Sequence, residues 1–94
     1  MATRTIGLVG AGTMGSGIAQ AGALSGYDVI MQDISDEKVA KGVKGITKSL
    51  ARLAARDKIS NADQSSALAR IEGTTSLDDL AECDVVIEAA TENI

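Results

Sequence analysis

The chain alternates between short apolar runs and longer stretches in which apolar residues recur every three or four positions. The runs TIGLVG (5–10), YDVIMQD (27–33) and CDVVIEAA (83–90) are short and rich in aliphatic and β-branched residues, which predicts strands, the first two of them buried. Between the first two runs, the pattern becomes helical from Met14, and Gly26 marks a helix end. Strands that alternate with helices predict right-handed βαβ crossovers and a parallel sheet with helices on both faces.

The clearest predicted helix follows the second strand. Ser35 is a predicted N-cap, and the acids directly after it favour the positive end of the helix dipole. The inner face of this helix is predicted from an apolar stripe at steps of four and three residues: Val39, Val43, Ile46, Leu50 and Leu53. Gly42 and Gly45 weaken the helix, and close packing is the only reason for them that the sequence offers.

A second helix and a short strand are predicted before the last apolar run. SNAD (60–63) resembles a capping box, and the helix after it has three predicted inner residues, Ala67, Leu68 and Ile71. GTTS (73–76) predicts a very short strand, and Ser76 with Asp79 predicts a second capping box for a short helix. The predicted fold is therefore α/β, with a helix pair inserted after the second strand.

Composition restricts the class of protein. The 94 residues make one small domain, and because Tyr27 is the only aromatic residue the core must be aliphatic. The apolar runs are too short to cross a membrane, and no signal-peptide pattern opens the chain. A single cysteine excludes an internal disulfide, and with no histidine a zinc site is not expected. We predict a cytoplasmic protein without a metal.

The net charge of −4 conceals a strong segregation of charge along the chain. Residues 1–37 carry −3, residues 38–58 carry +6 and residues 59–94 carry −7. Five basic residues at steps of three and four lie on one side of the long helix: Lys41, Lys44, Lys48, Arg52 and Arg56. This basic stripe is either a solvated helix face or a docking surface for a phosphorylated ligand, and it does not indicate general nucleic-acid binding.

The glycines after the first strand form the pattern G-x-G-x-x-G. Gly10, Gly12 and Gly15 lie between a predicted strand and a predicted helix, which is the context of a dinucleotide-binding turn. Gly10 permits a tight turn, Gly12 lets a pyrophosphate approach the backbone, and Gly15 lets the helix pack closely. The free N–H groups at the helix start attract phosphate. The motif predicts dinucleotide binding, and a purely structural glycine turn is the alternative.

An acid follows at the end of the second strand. Asp33 comes eighteen residues after Gly15, where its carboxylate can accept both hydroxyls of an adenosine ribose and would repel a 2′-phosphate. NAD is therefore predicted rather than NADP. Met14 either touches the cofactor or covers the core, and Cys83 is predicted to be a small buried hydrophobe that opens the last strand. No histidine, lysine or tyrosine is placed as a general base, so no catalytic residue is predicted.

Four segments together resemble a known family: VGAGTMGSGIAQ (9–20), MQDIS (31–35), KSLARLAARDK (48–58) and DVVIEAATEN (84–93). They closely resemble the N-terminal part of the L-3-hydroxyacyl-CoA dehydrogenases, and most closely the bacterial 3-hydroxybutyryl-CoA dehydrogenases. The resemblance spans essentially the whole chain. It implies a Rossmann-type, doubly wound parallel sheet in which residues 1–94 form an incomplete NAD-binding domain.

The resemblance also implies roles for individual residues. The NAD pyrophosphate would be wrapped by the six residues of the glycine loop: Gly10, Ala11, Gly12, Thr13, Met14 and Gly15. Asp33 would hold the adenosine ribose, and Glu92 would contact the cofactor. Ser49 and Arg56 fall where the family holds coenzyme A with a serine and a lysine, so Arg56 keeps the charge of the family's lysine and changes its geometry.

The family activity implied is the reversible oxidation of a (3S)-3-hydroxyacyl-CoA to the 3-oxoacyl-CoA of fatty acid metabolism, with hydride passing to NAD. In the family, the catalytic histidine and the helical domain that supports a homodimer come later in the chain. We therefore expect residues 1–94 alone to be inactive, and to associate through the open outer edge of the last strand. A stand-alone nucleotide-binding or interaction module, and another NAD-linked hydroxyacid dehydrogenase, remain as alternatives, although residues 38–72 argue against the latter.

Overall fold

A computed structural model describes residues 4–89 of the chain. The described elements are, in order, β1 (Thr5–Val9), α1 (Thr13–Leu24), β2 (Asp28–Gln32), α2 (Asp36–Ala55), α3 (Asn61–Ala69), β3 (Ile71–Thr74), a 3-10 helix (Leu77–Leu80) and β4 (Val85–Glu88). This order confirms the predicted α/β fold and the predicted helix pair after the second strand. No helix of this part of the chain is both long enough and apolar enough to cross a membrane.

The four strands form one parallel sheet in the order β3-β2-β1-β4. The two strands that precede the candidate site are therefore neighbours, with Val9 of β1 opposite Gln32 of β2. Since parallel strands all end at the same edge of a sheet, the glycine loop after β1 and Asp33 after β2 must lie side by side. The strand order thus brings together two features that are far apart in the sequence.

The core lies between the sheet and the three α-helices and is aliphatic, as predicted. Its buried members come from β1, β2, the glycine loop and all three helices: Leu8, Ala11, Ala19, Ala23, Val29, Met31, Ile46, Leu50 and Ala67. Small alanines on α1 let that helix approach the strands closely. Ile46 and Leu50 belong to the predicted stripe of α2, so its period of three and four residues correctly identifies the buried face.

The opposite face of the sheet is covered by the segment that leads into β4. A Cβ atom added to Gly7 would lie 2.9 Å from the Cys83 Sγ and 3.1 Å from a methyl carbon of Leu80, so this segment packs directly on the β1 backbone. Burial, assisted by the charge of Asp84, raises the pKa of the Cys83 thiol. Cys83 is therefore a neutral packing residue, although it precedes β4 rather than opening it.

Two details of the helix pair and β3 differ from the sequence prediction. Ile71 was predicted on the inner side of a helix and instead begins β3, which starts two residues before the predicted strand. The predicted capping box does not form: the Ser76 side chain makes no capping hydrogen bond, and the Ser76 N–H donates to the Thr74 hydroxyl, which itself donates to the Asp79 carboxylate. A capping box depends on side-chain rotamers, and here a neighbouring strand residue competes for the same carboxylate.

Candidate functional site

The glycine loop needs two of its glycines for its own backbone geometry. Gly10 has a φ of 116°, a left-handed conformation that side chains strongly disfavour. The Gly10 N–H donates to the carbonyl of Gln32 at 2.6 Å, which fixes the loop to the end of β2. A Cβ atom at Gly15 would collide with the Gly10 carbonyl oxygen, a backbone atom that cannot move aside. The first turn of α1 therefore sits directly on the loop.

Gly12 is different, because nothing in the described chain occupies the space beside it. It is exposed, and a Cβ atom there would meet no atom within 4 Å. It is also the N-cap of α1, with no side-chain capping bond and no acid in the first turn. By contrast, α2 and α3 are each capped by a serine and carry acids in their first turns. The start of α1 thus has uncompensated N–H groups and a bare backbone, which suits an anionic ligand.

Asp33 is hydrogen-bonded to the glycine loop and is only partly buried. One carboxylate oxygen accepts from the Ala11 N–H at 2.8 Å, and the other accepts from the Ile34 N–H at 2.7 Å. Burial acts to raise the pKa of Asp33, but these two hydrogen bonds and the charge of Lys38 outweigh it, so the pKa is lowered. The side chain is therefore a carboxylate whose remaining lone pairs are available to hydroxyl donors.

Gln32 holds the backbone at this acid and was not predicted from the sequence. It is the buried polar residue at the end of β2, and its Nε2 donates to the carbonyls of Asp33 and Thr75 at 3.2 Å each. These bonds hold the end of β2 against the end of β3. The available signal was a polar residue inside an otherwise apolar strand, because such a residue requires partners.

Gly42 explains how α2 is placed against the loop. A Cβ atom at Gly42 would lie 2.7 Å from the Ala11 carbonyl oxygen, 3.0 Å from the Ala11 Cβ and 3.1 Å from the Met31 Cε. Close packing, the only reason available from the sequence, is therefore correct for Gly42. It is not correct for Gly45, where an added Cβ would meet nothing within 4 Å.

A groove of about 640 Å³ runs from the glycine loop between α1 and α2. One wall is a single face of α1, and the other is a single face of α2 that includes Lys38, Lys41 and Ser49. Of the predicted basic stripe, only Lys41 lines this groove, whereas the remaining four members are exposed elsewhere. Lys38 was not predicted as a site residue, although it lies three residues before Lys41 and therefore continues the spacing that defines the stripe.

The remaining predicted residues have different outcomes. Met14 is 61% exposed, so it does not cover the core, and its contact with the cofactor stays a prediction. Arg56 follows the last residue of α2 and does not line the groove. Glu92 lies outside the described residues. Within residues 4–89, no cluster of three or more metal-ligating side chains occurs.

Comparison with known proteins identifies the family. The model of the 3-hydroxyacyl-CoA dehydrogenase NAD-binding domain matches residues 5–94. The chain belongs to this family. The 3-hydroxybutyryl-CoA dehydrogenase of Bradyrhizobium diazoefficiens is 42% identical over 89 residues, which are 95% of this chain and 30% of the relative. The chain thus spans about a third of the length of such relatives.

Solved structures of relatives agree with this assignment. The (S)-3-hydroxybutyryl-CoA dehydrogenase of Ralstonia eutropha matches 99% of this chain, and 33% of its own, with 59% identity and a TM-score of 0.92. The lactate dehydrogenase of Cryptosporidium parvum, solved with its dinucleotide cofactor, matches 98% of this chain and 26% of its own, with 25% identity and a TM-score of 0.65. Both the identity and the TM-score are higher for the 3-hydroxybutyryl-CoA dehydrogenase than for the lactate dehydrogenase. The predicted resemblance to the 3-hydroxyacyl-CoA dehydrogenases is therefore confirmed. The matched family model is that of an NAD-binding domain, so the family comparison supports NAD as the cofactor. The start of α1, which has no side-chain cap, fits a pyrophosphate.

Proposed function

We propose that this chain is the NAD-binding part of an enzyme that interconverts (3S)-3-hydroxyacyl-CoA and 3-oxoacyl-CoA. The observation that carries the proposal is the uncapped start of α1 beside a hydrogen-bonded carboxylate, at the edge where parallel strands end. Gly12, Thr13 and Met14 are exposed around this start, so the pyrophosphate has access to their N–H groups. Bound NAD supplies the hydride acceptor, and the residues of this chain bind and orient it.

Asp33 selects the adenosine ribose in this proposal. Its two oxygens already accept from backbone N–H groups, and each has a further lone pair for a ribose hydroxyl. A 2′-phosphate would place negative charge against an ionised carboxylate, which favours NAD over NADP. Ile34, the adjacent residue, is 78% exposed and apolar, and it offers a surface for the adenine ring. We also assign Glu92 to the cofactor, as the family resemblance implies, and to its nicotinamide side because Glu92 follows the last apolar run of the sequence.

Ser49 and Arg56 are assigned to the coenzyme A of the substrate. Ser49 lines the groove, and Arg56 follows it by seven residues, which is two helical turns and therefore nearly the same face of α2. A hydroxyl and a guanidinium about 10 Å apart along the helix axis suit successive phosphate groups of one extended ligand. We therefore propose ligand docking only for those members of the basic stripe that lie on the same face of α2 as the groove, and not for the whole stripe.

The whole protein is proposed to be a cytoplasmic homodimer, with the 94-residue chain inactive when isolated. The sequence contains no histidine, so the chain holds the hydride acceptor but supplies no imidazole base. The open edge of β4, with Val85 and Val86 half-exposed, is proposed to drive self-association of the isolated chain. A stand-alone nucleotide-binding module is the second candidate, and the absence of any imidazole favours it for these residues alone.

Two calorimetric titrations test the proposal. The chain is expected to bind NAD, and Asp33→Ala is expected to weaken binding by at least about tenfold, since two hydrogen bonds to the ribose are lost. Asp36→Ala is the matched control, because it removes the same charge three residues away from an exposed position outside the groove. Unchanged NAD affinity in Asp33→Ala would refute the ribose assignment.

Coenzyme A is the second titrant. Arg56→Ala is expected to weaken its binding. Lys44→Ala is the charge-matched control, because Lys44 is an exposed member of the basic stripe that lies five residues before Ser49 and therefore on a different face of α2. Equal losses in both variants would show general electrostatic attraction rather than a site. Binding of NAD without any binding of coenzyme A would favour the stand-alone nucleotide module.

A further inference from the structure

Two helix-interior glycines have no structural reason in the described chain. Gly17 lies within α1 and Gly45 within α2, both are exposed, and a Cβ atom at either would meet nothing within 4 Å. Glycine is the least favourable helix residue after proline, so alanine at either position would strengthen its helix. Gly42, only three residues before Gly45, shows the contrary case, because its Cβ would press on the Ala11 backbone.

Both glycines line the same groove from opposite walls. Gly17 stands on the α1 wall with Ser16 and Gln20, and Gly45 stands on the α2 wall with Ser49. These walls extend well beyond the glycine loop, since Gln20 is seven residues after Thr13, about 10 Å along the α1 axis. Ser49 lies about 16 Å beyond Lys38 along α2. The glycines therefore widen the part of the groove that is remote from the strand ends.

This remote part lies outside the path of a dinucleotide. A dinucleotide in this architecture crosses the carboxyl ends of the strands, where the glycine loop and Asp33 lie. The groove instead leads away from that edge, toward the amino ends of the strands. Its entrance carries two ammonium groups, Lys38 and Lys41, and its walls carry the hydroxyls of Ser16 and Ser49 and the amide of Gln20. That chemistry suits a second ligand that is phosphorylated and polar.

We infer that Gly17 and Gly45 are specificity-determining residues whose missing side chains admit the adenosine phosphate end of the coenzyme A substrate between α1 and α2. The inference rests on the proposed function, which supplies coenzyme A as the second ligand. The helix backbone at these glycines is then a contact surface, and any side chain there narrows the groove. Each glycine lowers the stability of its helix, and the space that it leaves for the ligand explains why it is kept.

The test uses opposite signs for stability and binding. Gly45→Ala and Gly17→Ala are each expected to raise the Tm of the chain, by about 4 to 8 °C, because nothing obstructs the new methyl group. Both are expected to weaken coenzyme A binding, and Gly45→Gln, with a longer side chain, is expected to weaken it by at least about tenfold. Binding is measured by shifts of backbone amide NMR signals during titration with coenzyme A, and separately with NAD.

The control is Ala51→Gly, which lowers helix stability at an exposed position of α2 outside the groove. It is expected to leave coenzyme A binding unchanged, so that an effect of helix stability alone is recognised. Wild-type coenzyme A affinity in Gly45→Gln, with NAD binding intact, would overturn this inference and leave the proposed function standing. Loss of NAD binding instead would assign the groove to the cofactor and overturn the inference. Failure of the unaltered chain to bind either ligand would overturn the proposed function.

Discussion

The hydrogen bond between Asp33 and the glycine loop makes the most specific prediction. Asp33→Asn keeps the shape of the side chain but leaves one amide oxygen to accept from two N–H groups, those of Ala11 and Ile34. Its NH2 group must then face one of these donors. The loop then weakens one of its two anchors to the end of β2 and keeps the other, the bond from the Gly10 N–H to the Gln32 carbonyl. Ribose recognition and loop geometry are thus coupled through one carboxylate.

The magnitude follows from the two bonds. A hydrogen bond to a charged group contributes about 1.5 to 3 kcal/mol. The partly buried bond from Ala11, at 2.8 Å, should contribute within that range, whereas the exposed bond from Ile34 is screened by water and contributes less. We expect Asp33→Asn to lower the free energy of unfolding by about 2 kcal/mol at neutral pH. In a domain of this size that is a fall in Tm of about 8 to 16 °C.

The pH dependence gives an independent measure of the same contact. Because the folded-state pKa of Asp33 is lowered from 3.8, its carboxylate stabilises the fold above that value. This stability is lost as the pH falls from there through the lowered folded-state pKa. Urea denaturation at several pH values between 6 and 2.5 should therefore show a steeper acid loss in the unaltered chain than in Asp33→Asn. Asp36→Asn, an exposed acid nearby, is the control. Parallel pH curves for the unaltered chain and Asp33→Asn would refute the anchoring role.

Two further changes test the packing of the fold, and a third tests the open edge of β4. Gly42→Ala should lower the free energy of unfolding by about 1 kcal/mol in thermal melts, because crowding of 1 to 3 kcal/mol against the Ala11 backbone exceeds the helix gain of about 1 kcal/mol; a more stable variant would contradict this. Arg70→Met should lower it by about 1.5 kcal/mol in urea, since the Arg70 Nη1 donates to the Ala23 carbonyl at 2.8 Å, and an unchanged midpoint would show that this bond is not needed. Val86→Lys, on the half-exposed edge strand, should reduce self-association in sedimentation velocity runs, and equal association would exclude this edge as the interface.

Much of the fold and part of the site follow from local patterns along the chain. Ser35 and Ser60 cap their helices because each side chain acts within three residues, so its role is visible in the sequence. The apolar stripe of α2 and the glycine loop are likewise short-range patterns. Asp33 was found because a strand end, a glycine turn and a fixed separation occur together. Such features need no knowledge of what lies across the molecule.

What only the tertiary structure decided concerns contacts between distant residues. Gly42 and Gly45 are equivalent in sequence, yet one presses on the Ala11 backbone and the other borders open space. The Asp33 carboxylate reaches the Ala11 N–H only because β1 and β2 are neighbours with their ends aligned. The groove that Lys38 lines forms only where one face of α1 meets one face of α2. The sequence by itself determined elements and chemistry, because these depend on adjacent residues, whereas clearance and coupling depend on how the elements pack.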